Sequence, residues 1–285
     1  IDVFVVPATG GVPKRLTWHP ARDTVQAFTP DGGAVLFASP REAFNNRHDQ
    51  LYTVPVEGGA ETKLPIPHAA RAVYSPDGKT IAYHAYDTAR LFNDQGHLRM
   101  VDRRTGAWTR LAPGLDRATT GVQWSPDGNA LLFLCEDRGR VGLHRLPLGA
   151  ETSDPLVASG TIGGFACSRD GGVIAFDRST ASHPPRLFAV AGDGTGERAI
   201  EHLNEALLAR HALGETHELT VKGWGGEAVQ VFVTYPPDFD PARKWPLLHS
   251  IHGGPHAAHG DVWHFRWNAQ VFAGRGYVVA MVNYH

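Results

Sequence analysis

Cysteine is nearly absent from this chain: Cys135 and Cys167 are the two in 285 residues, too few for a disulfide framework or a zinc knuckle. An excess of one charge is lacking too. The 27 Lys and Arg stand against 29 Asp and Glu with no basic block, which argues against a nucleic-acid partner or an anionic membrane surface. No apolar run exceeds the six residues Tyr277–Val282, far short of the roughly 20 that a membrane-spanning helix needs. An apolar fraction of 42% is enough to bury a core and argues against disorder. There is no initiator Met, and both ends fall inside strand-like runs, Asp2–Val6 and Tyr277–Tyr284. The ends read as cut, so the absence of a leader says nothing of the compartment, for which cytoplasmic is the default expectation.

What is plentiful is glycine, 32 residues, and proline, 20, which predicts many tight turns and therefore many short strands. The turns repeat. Phe28–Gly33, Tyr74–Lys79, Trp124–Asn129 and Cys167–Gly172 align without gaps, and their Asp31, Asp77, Asp127 and Asp170 recur at intervals of 46, 50 and 43 residues. Each is followed at one offset by two apolar residues and an aromatic, as in Val35-Leu36-Phe37 and Leu131-Leu132-Phe133. Asp-Gly suits a tight hairpin turn, because both residues tolerate positive φ, and the flanking β-branched and aromatic residues suit strands. A second repeated half follows at Leu51–Gly59, Leu98–Gly106 and Arg186–Gly194, and Val3–Gly11 is a copy of that half alone. Two hairpins per repeat at this period predict the four-stranded blades of a β-propeller over residues 1–200. The four Asp residues are expected to shape turns, not to catalyse. Four full repeats and a leading half do not close a ring, which predicts at least two or three further blades upstream of Ile1.

The blade pattern stops at Glu201. Leu203, Ala206, Leu207 and Arg210 fall at helical spacing and predict a short linker helix within 201–216. Glu218–Lys222, the Gly-Trp-Gly-Gly turn at 223–226 and the alternating Ala228–Tyr235 predict a β-hairpin. Leu247–Ile251 reads as a strand buried on both faces, and Tyr277–Asn283 as another. Between them Asp261 is the expected N-cap of a helix carrying Trp263, Trp267 and Val271 at i, i+4 and i+8 up to Gly274, with both Trp side chains packed in the core. Strand, loop, helix and strand in that order predict a parallel pair and an α/β sheet over 217–285.

The loop after the first of these strands reads Ser250-Ile-His-Gly-Gly-Pro-His256. A His-Gly-Gly turn leaving a central strand suits an oxyanion-binding loop, because glycines let a substrate approach backbone N–H groups that side chains would block. Taken with the Ser-Pro-Asp-Gly repeats, Trp245–Pro255, and Trp267–Tyr277 running into Val282-Asn-Tyr-His285, this loop resembles the prolyl oligopeptidase family of serine peptidases, most closely its acylaminoacyl-peptidase branch. The resemblance implies a β-propeller, incomplete here, followed by the beginning of an α/β-hydrolase domain. It implies a Ser-His-Asp triad without a cofactor, short peptides as substrates, and a propeller that screens them by size. On the positions of this chain it implies Gly253, Gly254 and His252 as the oxyanion loop, with Asn283 and Tyr284 lining the same crevice and Tyr284 facing substrate. No G-x-S-x-G occurs anywhere in the chain, so the triad is expected downstream of His285.

The dense His249, His252, His256, His259 and His264 do not read as a metal site, since they run from strand through loop into helix with only Asp261 as a nearby carboxylate. Arg41-Glu42 and Arg103-Arg104 read as solvated blade edges. Exopeptidase against endopeptidase specificity stays open, as does self-association into a homo-oligomer. Two other functions compete: an esterase-like hydrolase, which the propeller disfavours, and a non-catalytic propeller binding module, against which the His-Gly-Gly-Pro loop argues.

Overall fold

The computed structural model describes residues 1–41, 49–66, 68–86, 96–254 and 257–284, so Glu42, Pro255, His256 and His285 lie outside the described residues. The described chain divides into two compact units, Ile1–Phe133 with Arg145–Asp154, and Leu134–His144 with Pro155–His285.

The first unit opens with a two-stranded leading half, β1 (Phe4–Val5) paired with β2 (Lys14–Arg15). One four-stranded antiparallel sheet follows from β3 (Thr24–Phe28), β4 (Ala34–Ser39), β5 (Gln50–Pro55) and β6 (Thr62–Lys63). The next is built from β7 (Ala69–Tyr74), β8 (Thr80–Ala85), β9 (His97–Asp102) and β10 (Trp108–Arg110). The third repeat supplies β11 (Thr119–Trp124), β12 (Ala130–Asp137), β13 (Arg140–Pro147) and β14 (Asp154–Val157), of which β12 and β13 run from one unit into the other. The sequence repeat is therefore a repeat of four-stranded sheets, as a β-propeller requires. Leu36, Leu51, Ile81, Tyr83 and Val101 close the core between the first two full sheets, and Val3, Leu16, Val35 and Phe37 pack the leading half on the first.

Each repeated turn is wired alike. In the second, the Ser75 hydroxyl donates to Asp77 Oδ1 at 2.7 Å, the Lys79 amide donates to the same oxygen at 3.0 Å, and the Thr80 amide donates to Ser75 Oγ at 3.0 Å. Asp31, Asp127 and Asp170 accept the equivalent hydroxyl and amide bonds. These donors, the hydroxyl first, hold all four carboxyls below the usual carboxylate range.

Arg41 is not a solvated edge. Its guanidinium lies over the Phe37 and Tyr52 rings, 5.1 and 5.0 Å from their centroids, and bonds Asp23 at 2.9 Å and Glu61. Arg103 and Arg104 are exposed as expected.

In the second unit β15 (Thr161–Cys167), β16 (Val173–Thr180), β17 (His183–Ala191) and β18 (Arg198–Ala199) make the fourth repeat's sheet, and β13 meets β15 in one parallel pair, Val141 with Thr161. A single turn of helix, α1 (Glu205–Leu208), lies within the expected linker. Next comes a sheet of order β19-β20-β22-β21, formed by β19 (Thr216–Lys222), β20 (Ala228–Thr234), β21 (Leu247–Ser250) and β22 (Val278–Val282), with α2 (Ala269–Ala273) before its last strand. The β19–β20 hairpin and the parallel β21–β22 pair are those expected from the residues. Phe232, Ala269, Ala273, Val279 and Met281 form the core beneath α2.

Two local expectations are corrected. Leu247–Ile251 is not buried on both faces: β21 ends the strand order, Leu247 is 66% and Ile251 80% exposed, and Leu248 packs against the core. The helix does not start at Asp261. Instead His264 Nδ1 accepts the Arg266 and Trp267 amides at 3.1 and 2.8 Å, occupying donors a helix would use, and Asn268 caps α2 by accepting the Gln270 amide at 2.9 Å. Asp261 is a tie to the fourth repeat: its carboxylate accepts the Ala181 amide at 2.8 Å, its amide donates to the Gly139 carbonyl at 2.7 Å, and its carbonyl accepts the Thr161 hydroxyl at 2.9 Å. Trp267 and Val271 are exposed, and Trp263 and Val271 line an open groove with Leu207, Leu208 and His211.

Two outcomes follow for stability. Gly32 and Gly78 hold the same turn position at φ +70°, but a Cβ on Gly32 meets nothing within 4 Å while one on Gly78 falls 2.8 Å from Pro30 Cγ. Gly32→Ala should cost about 1–2 kcal/mol for the left-handed backbone alone, and Gly78→Ala distinctly more, read from urea-denaturation midpoints; equal costs would refute the packing of that turn on Pro30. The second outcome concerns His84, 3% exposed on β8, with Nε2 2.7 Å from the Thr119 hydroxyl. Burial, with the Arg71 charge adding to it, pushes its pKa down to about 4. The unfolded chain therefore binds the proton first, and stability present above pH 6.5 is lost as the pH falls towards 4. The loss should approach about 3 kcal/mol, and His84→Gln should flatten that part of the profile.

Candidate functional site

The loop that leaves β21 carries three of the four candidate residues. Gly253 and Gly254 are exposed, Gly254 has φ +133°, and a Cβ on Gly253 would meet nothing within 4 Å. Both residues are exposed, and neither amide has a hydrogen-bond partner among the described residues. That is the hydrogen-bonding capacity an oxyanion needs.

The His252 ring is half-buried and fixes the direction of this turn. Its Nδ1 lies 2.9 Å from the Gly253 carbonyl oxygen, and since a carbonyl only accepts, Nδ1 carries the proton and donates. In a trans peptide the carbonyl and the following N–H point opposite ways. Holding the Gly253 carbonyl on the ring therefore turns the Gly254 N–H away from it.

Tyr284, the fourth candidate, is brought to the same place. Its ring centroid is 6.0 Å from that of His252, and its side of the sheet is set by β22, which pairs in parallel with β21 from Leu247 opposite Val278 to Ser250 opposite Met281. The neighbouring Asn283 does not line an open crevice: it is 7% exposed and engaged in bonds. Its Oδ1 accepts the His259 amide at 2.6 Å, while its Nδ2 donates to the His259 carbonyl at 3.0 Å and to Gln230 Oε1 at 2.9 Å. Gln230 Nε2 in turn donates to Glu218 at 2.7 Å and to the Arg138 carbonyl at 2.9 Å, and Arg140 pairs with Glu218 at 2.7 Å. The Gln230 donor, with the two arginines, holds the Glu218 carboxyl below its usual range.

His259 is a part of this site that the sequence reading passed over as a loop residue. Its Nε2 donates to the Ser250 carbonyl at 3.0 Å, and its ring stands edge-on to His252 at 5.4 Å. Burial lowers its pKa, against the pull of the Ser250 bond and with help from the neighbouring His252, His249 and His264. Behind it, Gly139 at φ +71° leaves no room for a side chain: a Cβ there would fall 2.8 Å from the Phe232 ring and 2.9 Å from the His259 carbonyl oxygen.

Residues 1–152 match the family model described as the tricorn protease N-terminal β-propeller domain. The chain is 25% identical to dipeptidyl-peptidase 5 of Porphyromonas gingivalis, in an alignment covering 91% of this chain and 39% of that protein. It is 33% identical to dipeptidyl-peptidase 5 of Trichophyton tonsurans, covering 89% of this chain and 38% of that one. Among solved structures, Pyrococcus horikoshii acylaminoacyl peptidase shares the fold over 95% of this chain and 41% of its own, with a TM-score of 0.75 at 18% identity. The chain thus spans about two fifths of the length of these relatives, all of them named as peptidases, in keeping with the resemblance carried by the Ser-Pro-Asp-Gly repeats and the His-Gly-Gly-Pro loop. With more than half its length inside one family, the chain belongs to the tricorn protease N-terminal β-propeller family.

Proposed function

We propose that this chain is part of a serine peptidase that hydrolyses short peptides through an acyl-enzyme, residues 1–200 being propeller blades that screen substrates by size and 217–285 the beginning of its α/β-hydrolase domain. The observation that carries the reading is the exposed Gly253-Gly254 turn, whose amides have no partner among the described residues, leaving a parallel strand and oriented by the His252 ring. In this reading a serine outside the chain attacks the scissile carbonyl, and the two amides receive the charge that develops on its oxygen. Each such donor is worth about 3–4 kcal/mol of barrier. Tyr284, beside His252, faces the bound peptide. The relatives named dipeptidyl-peptidase 5 favour dipeptidyl-peptidase action as the specificity.

The test is fluorophosphonate labelling of the full-length protein with mapping of the labelled peptide. A labelled serine C-terminal to His285 is the expected result; a folded, unlabelled protein would leave only the binding-module reading. In the same protein Gly254→Val should lower kcat at least a hundredfold while melting within a few degrees of the parent. Retained peptidase activity in that variant would remove the loop from the mechanism.

A further inference from the structure

We propose that His259, held by Asn283, is the positioning residue of the 252–254 loop and sets the direction of the Gly254 amide through the His252 ring. The proposal rests on the oxyanion reading of that loop and adds what keeps the loop in register.

The loop has little hold of its own. A Cβ on Gly253 would meet nothing within 4 Å, Ile251 is 80% exposed, and the bond His252 makes, to the Gly253 carbonyl, lies inside the turn. A bond within the turn fixes the turn's shape but not its place on the sheet. Its place is set by His259, whose Nε2 donates to the Ser250 carbonyl where the loop leaves β21 and whose ring stands against His252.

His259 is itself immobilised. Asn283 grips its amide and its carbonyl together, and Asn283 is anchored to β20 by its own amide donating to the Gln230 carbonyl at 2.9 Å and by its side chain on Gln230 Oε1. The Gly139 turn closes the other side of the His259 carbonyl. One chain of support therefore runs from β20 through Asn283 and His259 to His252, and from His252 to the peptide whose N–H faces the reacting oxygen. A displacement of about 1 Å at such a donor costs on the order of a hundredfold in rate, so a support that never touches substrate still controls turnover.

The chemistry of the support gives a specific prediction. The Ser250 carbonyl needs a donor at the distance of the imidazole Nε2, four bonds from Cα. A glutamine amide nitrogen reaches that distance; an asparagine amide stops one carbon short. In the full-length protein His259→Ala and His259→Asn should each lower kcat ten- to a hundredfold on dipeptidyl or acylaminoacyl p-nitroanilides with KM within about twofold, and His259→Gln should recover most of it. Binding of a peptide aldehyde, whose hemiacetal oxygen mimics the oxyanion, should weaken in step with kcat/KM, while binding of the corresponding free acid stays constant. If His259→Ala does not fold, the comparison of His259→Asn with His259→Gln decides: equal activity in the two overturns the proposal. Wild-type kcat in folded His259→Ala, alongside an inactive Gly254→Val, overturns it too while leaving the oxyanion reading in place. Full activity in Gly254→Val removes the oxyanion reading, and this proposal with it.

Discussion

The close approach of backbone to backbone at Gly139 is the constraint on which the second unit depends. The turn between β12 and β13 lies directly against residues 259–261, with the Gly139 carbonyl accepting the Asp261 amide and no side chain between the two segments. Segments that close must satisfy each other's polar groups, because water cannot reach them. Asp261 and Asn283 do this work with carboxylate and amide oxygens, and Gln270, 7% exposed, does the same further along by binding Gly214 on both its amide and its carbonyl and donating to the Ala181 carbonyl. Apolar packing alone would leave such segments free to slide. A hydrogen-bonded seam fixes direction as well as separation, and direction is what a turn presenting N–H groups requires.

The propeller sheets solve a different problem by different means. Their buried strands, β4 and β8, are apolar along almost their whole length and sit between neighbouring strands of their own sheets, so their specificity comes from register and shape. Polar detail is pushed to the turns. Arg41 and the buried His84 depart from this, Arg41 being a cation laid on two aromatic rings and paired with Asp23 and Glu61, where stripping its water is compensated by opposite charge and π-faces together.

What could be read in the sequence divides along the same line. The repeats, the β19–β20 hairpin and the Gly253-Gly254 turn were legible because the residues that shape them lie within a few positions of each other. Asp261 looked like a helix cap because helix caps are local, whereas its partners Ala181, Thr161 and Gly139 lie 80, 100 and 122 positions away. The spacing of Trp263, Trp267 and Val271 was helical, but His264 captured the amides that would have started that helix. His259 carried no signal at all: one histidine among five, its role appears only once Asn283 and Ser250 are brought beside it. The His252 and Tyr284 pairing was legible in outline, since a strand parallel to β21 must end near the place where β21 ends.

The wiring of the repeated turn has a consequence for the history of such a chain. In each copy the hydroxyl, the carboxylate and the left-handed glycine fall within a few consecutive residues, and the hydrogen bonds that shape the turn are made among them. A module whose corner is shaped by its own few residues can be copied or recombined by unequal exchange and keep that shape. His259 and Asn283 are tied differently: their bonds reach the Ser250 carbonyl and each other across 9 and 24 positions, so a change in that part of the chain is felt at a distance.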